Sequence, residues 1–296
     1  MVGYKDIIYY RRSYRNWFTI LIKQALPGNR MKKIIKVMPR NGTAFINVNS
    51  WLAHHYVQLN AYHNDNISKP SILNDGNLSF EYKNIPVKFS IPSYAAFLES
   101  FIMEDYSWLL PVEGQTVVDI GANIGDTPLY FALNGARKVL ALEPFPYAYS
   151  TAKKNIMISG YDHSIDLMNC GFGKDGFIEL SESVSDTGSE LKKLEGGPRI
   201  PLISLKTLIE KYSLGYVKEL LLKMDCEGCE YNILEEDCSV LRNFKKIQME
   251  YHYGPDKLVE KLNSCHFNVK YTDPKKIRAK ESDKPQQIGM IYAIRE

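Results

Sequence analysis

The chain has 296 residues, 45% hydrophobic and 24% charged, which fits a folded globular protein of one large or two ordinary domains and excludes a disordered, collagenous or coiled-coil chain. No apolar run reaches the roughly 18 residues of a membrane-crossing helix, and the first residues lack the pattern of a secretory leader. Charge is uneven: residues 1–40 carry ten Lys/Arg against Asp6 alone, a net +9 within a total of +3.

Tyr14, Trp17, Phe18, Leu21, Ile22 and Ala25 fall on one face of a helix that Pro27 and Gly28 stop. That stripe is expected to pack on its own protein. With its basic neighbours it also suits a peripheral membrane contact through residues 1–40. From 31 to 92, the runs Lys33–Val37, Ala44–Val48, Leu78–Tyr82 and Val87–Ile91, divided by Asn/Asp/Gly turns, predict small antiparallel strands. Residues 94–110 predict a linking helix. Residues 1–112 therefore read as an α+β extension.

From 113 to 296 strands alternate with helices. Strands are predicted at Val117–Ile120, Lys138–Leu142, Ile165–Met168, Glu219–Met224, Ile247–Tyr251, Phe267–Tyr271 and Ile288–Ile294. Helices are predicted from the turn after the first strand to Asn134, over Pro146–Ser159 and Leu205–Tyr212, from the fourth strand through Leu234, and over Asp256–Leu262. The alternation predicts a parallel sheet with helices on both faces. Residues 181–198, rich in Ser, Gly and Glu, read as a loop.

Three clusters carry chemistry. In Val117-Val118-Asp119-Ile120-Gly121-Ala122-Asn123-Ile124-Gly125-Asp126, a buried strand enters a glycine turn that opens a helix, where free amides favour an anionic ligand group. Glu143, followed by Pro144, ends the next strand, where a carboxylate can accept ribose hydroxyls. The turn lacks the third glycine of a dinucleotide fingerprint and the Gly-Lys-Ser/Thr of a phosphate loop. Asp119 suits a ligand with an ammonium group, so S-adenosylmethionine fits these residues. In the second cluster, Lys223-Met224-Asp225-Cys226-Glu227-Gly228-Cys229-Glu230, Asp225 and Glu227 should meet Glu143 in one cleft, although Asp225 could equally cap a helix. The third, Met249-Glu250-Tyr251-His252, brings Glu250 and His252 to the same edge.

Asp225 and His252 are the candidate bases, with Glu227 orienting the acceptor. An imidazole base would titrate near about pH 6–7. No metal is assigned; a divalent ion on Asp225, Glu227 and Glu250 is the less favoured way to relieve the crowded charge. Cys226 and Cys229 read as small residues packing a tight turn rather than a redox pair or half a zinc site. Five cysteines, odd and sparse, suggest a reducing, cytoplasmic setting.

Together these clusters resemble the FkbM family of class I S-adenosylmethionine-dependent methyltransferases over about residues 95–260. Phe145, where Asn is usual, and Cys226 and Cys229, where small apolar residues are usual, depart from the family pattern. The resemblance implies a Rossmann-like class I methyltransferase sheet of seven strands, the last antiparallel. It implies S-adenosylmethionine held by Asp119, Gly121, Ala122, Asn123, Gly125, Glu143 and Pro144, and O-methylation of a hydroxyl on a sugar or other small molecule. A nucleic-acid methyltransferase gripping its substrate with the basic arm, and a non-catalytic S-adenosylmethionine-binding protein, are the alternatives.

Overall fold

The computed structural model describes residues 4–27, 33–42, 44–61, 65–75, 77–90, 97–179, 198–217, 219–277 and 286–296. The loop expected at 181–198 lies outside these residues except at its last position. The chain forms two compact units, Met1–Glu104 with Lys154–Gly160, and Asp105–Lys153 with Tyr161–Glu296.

The first unit opens with α1 (Tyr4–Ser13) and α2 (Trp17–Ala25). The hairpin of β1 (Ile34–Val37) and β2 (Ile46–Asn49) follows, then α3 (Ser50–Ala61) and the antiparallel sheet β3–β4–β5 (Ile67–Ile72, Leu78–Tyr82, Ile85–Phe89). The expected stripe does not form one buried face. The chain breaks at Tyr14–Asn16, where Tyr14 bridges to Pro39, and α2 turns Ile20 and Gln24 inward. Phe18 and Ile22 are left 62% and 49% exposed. The Gln24 side chain is held by the Tyr10 hydroxyl and the Ser50 carbonyl, so a polar residue takes the inner position.

Helix α3 corrects the reading of 31–92 as strands alone. The Asn49 side chain accepts the Leu52 N–H at 2.7 Å, and Leu52, Ala53, Tyr56 and Val57 make its inner face. Residues 94–96 of the expected 94–110 helix lie outside the described residues, and from 97 to 110 no continuous helix forms. A short π-helical turn over Leu98–Ile102 ends before Glu104, which sits at φ +52° and cannot continue a right-handed helix; Ser107–Leu109 is a separate 3₁₀ turn. Phe80, Tyr82, Phe89, Phe97 and Phe101 pack as one aromatic core.

The second unit holds the central sheet. Its strands are β6 (Thr116–Ile120), β7 (Lys138–Leu142), β8 (Ile165–Met168), β12 (Leu220–Met224), β13 (Phe244–Tyr251), β14 (Asn268–Tyr271) and β16 (Gln286–Ile294). The order is β14-β16-β13-β12-β6-β7-β8, with the short β15 (Lys275–Ile277) beside β16. Pairs from β13 to β8 are parallel, and β16 is antiparallel to β13 and β14. The chain runs outward from β6 to β8, then returns to build outward from β12. The boundary between β6 and β12 is therefore a topological switch point, where α/β sheets place ligands beyond the strand carboxyl ends.

Helices α4 (Asp126–Leu133), α5 (Pro146–Ser159), α6 (Leu205–Lys211), α7 (Cys238–Leu241) and α8 (Asp256–Ser264) accompany the sheet. A small sheet of β9 (Gly171–Phe172), β10 (Gly176–Glu179) and β11 (Arg199–Ile203) was not expected. The helix predicted after β12 is a 3₁₀ segment, Cys229–Glu235, entered through left-handed Glu227 (φ +56°) and Gly228 (φ +108°).

The cysteine reading is corrected as well. Cys226 pairs with Cys229 and Cys238 with Cys265, and Cys170 alone is free. Paired cysteines are typical of oxidising surroundings, so the cysteine argument for a reducing compartment falls. No described helix is long and apolar enough to cross a membrane.

Candidate functional site

The turn after β6 is tied to its neighbours by backbone. Gly121 and Ala122 both donate N–H to the Leu142 carbonyl at the end of β7, and Asp225 N–H donates to the Ile120 carbonyl. Gly121 sits at φ +85°, and a Cβ there would lie 1.8 Å from the Asp225 carbonyl oxygen. Only glycine allows the loops after β6 and β12 to approach so closely. Gly125, at φ +86°, meets Ala152 of α5 in the same manner, at 3.1 Å.

Glu143 is buried beside this turn. Its two carboxylate oxygens accept the Asn123 N–H at 2.8 Å and the Phe145 N–H at 2.9 Å. Burial pushes its pKa up to about 8, against the pull of those two donors. Pro144 follows, and Asn169 fixes the carbonyls of both Glu143 and Pro144. Asn123, at φ +48°, has a buried side-chain oxygen with no hydrogen-bond partner.

Asp119 does not face a ligand. It is fully buried, 3.0 Å from Lys223 Nζ on β12, and accepts the Thr127 hydroxyl. Its charge is answered from within, which corrects the ammonium reading. Lys223 also donates to the Gly121 carbonyl at 2.7 Å and lies over the Tyr106 ring. Burial works against the lysine charge, but Asp119, Asp225 and Asp126 outweigh it and hold its pKa above the usual value. The pair thus supports the glycine turn from beneath. Sequence reasoning gave Lys223 no role, although a lysine inside the apolar run Leu220–Met224 is itself a signal of a buried partner.

Beyond β12 and β13 lies a second set of groups. Asp225 is half-buried and accepts the Tyr106 hydroxyl at 2.8 Å. His252, 2% exposed, sets Nε2 3.2 Å from Glu227 and Nδ1 3.0 Å from Glu230. Glu230 is fully buried and also accepts the N–H groups of Gly228 and His252. Burial opposes the imidazolium, yet its hydrogen bonds to Glu227 and Glu230 overcome it and drive the His252 pKa up to about 11. An imidazole titrating near about pH 6–7 is therefore not what this site contains. Asp225, Glu227 and His252 bring ligand-type atoms within 4.8 Å of one another; Glu250, one residue before Tyr251 on β13, is not in the group. Tyr106 and Glu230 were not predicted. From the sequence Glu230 reads only as an acid complementing a helix dipole, and Tyr106 has no local signal.

Residues 119–279 match the family described as the methyltransferase FkbM domain. No curated protein sequence matches the chain. Similar solved structures include an uncharacterized protein from Listeria monocytogenes serotype 4b, 17% identical over 66% of this chain and 67% of that one, with a TM-score of 0.39. A precorrin-6y C5,15-methyltransferase from Geobacter metallireducens GS-15 is 15% identical over 65% and 87%, with a TM-score of 0.36. The C-terminal domain of precorrin-6Y C5,15-methyltransferase from Rhodobacter capsulatus is 12% identical over 64% and 84%, also at 0.36.

Proposed function

Because the chain belongs to the FkbM methyltransferase family, we propose that it transfers a methyl group from S-adenosylmethionine to a hydroxyl oxygen of a sugar or other small molecule. The observation that carries the cofactor assignment is the turn itself. Gly121 leaves no room for a side chain, the Asn123 side-chain oxygen is buried without a partner, and the Glu143 carboxyl closes the far side. These groups fit an adenosine and an amino-acid end. Glu143 and Asn123 would take the ribose side.

When bound, the cofactor supplies a methyl group on a sulfonium, and the S–CH₃ bond breaks as the O–CH₃ bond forms, leaving a neutral thioether. The chain's task is to align the acceptor and ease the loss of its proton. Alignment contributes on the order of 7–11 kcal/mol in such reactions. Asp225 is assigned as the group that meets the acceptor hydroxyl: it lies against the Gly121 turn, is open to solvent in part, and is steadied by Tyr106. His252, held between two carboxylates, supplies position rather than a free base.

Calorimetry with S-adenosylmethionine tests the first half. Glu143→Ala should weaken binding by about 0.5–1.5 kcal/mol, the net scale of a hydrogen bond to a group that keeps its proton at neutral pH. An unchanged affinity would put the cofactor elsewhere. Methyl transfer to a panel of sugars and hydroxylated metabolites tests the second half: Asp225→Asn should lower kcat by roughly 10²–10⁴-fold with little change in cofactor affinity. Transfer to RNA or DNA instead, with steep salt dependence, would overturn the small-molecule acceptor.

A further inference from the structure

We propose that Asp225, Glu227 and His252 form a binding site for one divalent first-row transition-metal ion, of the manganese class, at the acceptor edge of the sheet. Their donor atoms, one imidazole nitrogen and two carboxylate oxygens, lie within 4.8 Å of one another. Ligands bound at roughly 2.0–2.2 Å to one ion stand about 3–4 Å apart, so small rotamer changes close the set. The 3.2 Å between His252 Nε2 and Glu227 Oε2 is already that of two adjacent ligands.

A second observation comes from behind the ring. His252 Nδ1 faces Glu230 Oε1 at 3.0 Å, and Glu230 is fully buried, anchored by two backbone N–H groups, and outside the ligand set. A metal-binding histidine characteristically gives its other nitrogen to such a carboxylate, which fixes the tautomer and aims the free nitrogen at the ion. Here Nδ1 is committed to Glu230, and Nε2 is the atom directed at the acids. Asp225 is likewise oriented from outside, by the Tyr106 hydroxyl.

The donor set chooses the ion. Carboxylates suit magnesium and manganese, and imidazole suits zinc, iron and nickel, so a mixed set with two acids favours the middle of that series. Three protein ligands leave coordination positions open, and Glu227, 30% exposed, gives the site a solvent edge. Two open positions fit an acceptor with two adjacent oxygens, such as a vicinal diol. A hydroxyl bound there would be acidified and lose its proton to solvent while both acids stay on the ion. The site rests on geometry alone; its role in acidifying an acceptor rests on the methyl-transfer reading.

Electron paramagnetic resonance of Mn²⁺ titrated into the full chain, without cofactor or acceptor, tests the site. The wild type should take up one ion per chain. Asp225→Asn and Glu227→Gln should each weaken uptake at least tenfold, and Glu230→Gln roughly 10–100-fold, as loss of an outer-shell partner does. Glu250→Gln should leave uptake unchanged. Glu227 is partly exposed, so that variant remains informative even if changes at His252 or Glu230 prevent folding. No uptake by the wild type, or uptake untouched by Asp225→Asn and Glu227→Gln, would overturn the proposal. Calorimetry with S-adenosylmethionine on the same metal-free samples keeps the two ideas apart. Cofactor binding without Mn²⁺ uptake removes the metal site and spares the methyltransferase reading; uptake without cofactor binding does the reverse.

Discussion

Replacing Gly121 by alanine should separate two costs that the turn after β6 avoids. The first is conformational. The residue sits at φ +85°, and an L-residue there is disfavoured by about 1–2 kcal/mol. The second is steric. The new Cβ would stand 1.8 Å from the Asp225 carbonyl oxygen, 2.8 Å from its carbon and 3.3 Å from Cys226 Cα. These are backbone atoms that cannot swing aside, so the two loops must part, at the roughly 1–3 kcal/mol typical of overpacking. Gly114 isolates the first cost, because it lies at φ +70° with nothing within 4 Å of its would-be Cβ. Gly114→Ala should therefore lose about 1–2 kcal/mol and Gly121→Ala about 2–5 kcal/mol in urea denaturation. At about 2–4 °C per kcal/mol, the second variant should melt roughly 4–20 °C below wild type. It should also lose S-adenosylmethionine binding, since Asn123 moves with the turn and carries with it the N–H that holds Glu143. Equal denaturation midpoints and equal cofactor affinity for the two variants would refute the close approach of these loops.

Glu143, with its pKa pushed up to about 8, keeps a proton in the fold that the unfolded chain releases near the ordinary glutamate value of about 4.3. The native state then binds more protons, so stability should fall as pH rises between these values, and Glu143→Gln should flatten the slope in urea melts; a slope shared by both proteins would show that Glu143 is not its source. Lys223→Met should cost about 3–5 kcal/mol by leaving Asp119 buried without its partner, and adding Asp119→Asn should restore part of it; additive losses in the double-mutant cycle would contradict the pairing. The Cys238–Cys265 bond spans 27 residues of sequence, so its paired replacement by serine should lower stability by roughly 3–4 kcal/mol on a loop-entropy estimate. No change in denaturation midpoint would argue that the bond constrains nothing.

The central sheet was legible because short, mainly apolar runs alternate with helical stretches along the chain. Lys138–Leu142 and Ile165–Met168 appear at their expected bounds. The glycine turn was legible for a related reason: positive φ and close backbone approach demand glycine, and the demand shows in the letters. What escaped notice depended on distant partners. Helix α3 has a capping asparagine, but its histidines, asparagine and glutamine obscure the apolar face. Asp119 stands where a ligand group might, and only Lys223, more than a hundred residues later, reveals its internal partner. Tyr106 reaches Asp225 across 119 residues of sequence, and nothing local foretells it. The buried face of α2 was misread because Gln24 fills an inner position once Tyr10 and Ser50 satisfy its amide.

The Glu230 carboxylate has a mechanical consequence. It binds the backbone of the loop after β12 at Gly228, and both the backbone and the ring of His252 beyond β13. Neither loop can swing away without stranding a buried charge, an opening that is costly in a low-dielectric interior. The two loops should therefore breathe as one body, and the amide protons of Gly228 and His252 should exchange with solvent through a shared opening event rather than independently. A molecule arriving at this edge would meet two loops tied together, with the adaptability left to Glu227 at the solvent-facing lip.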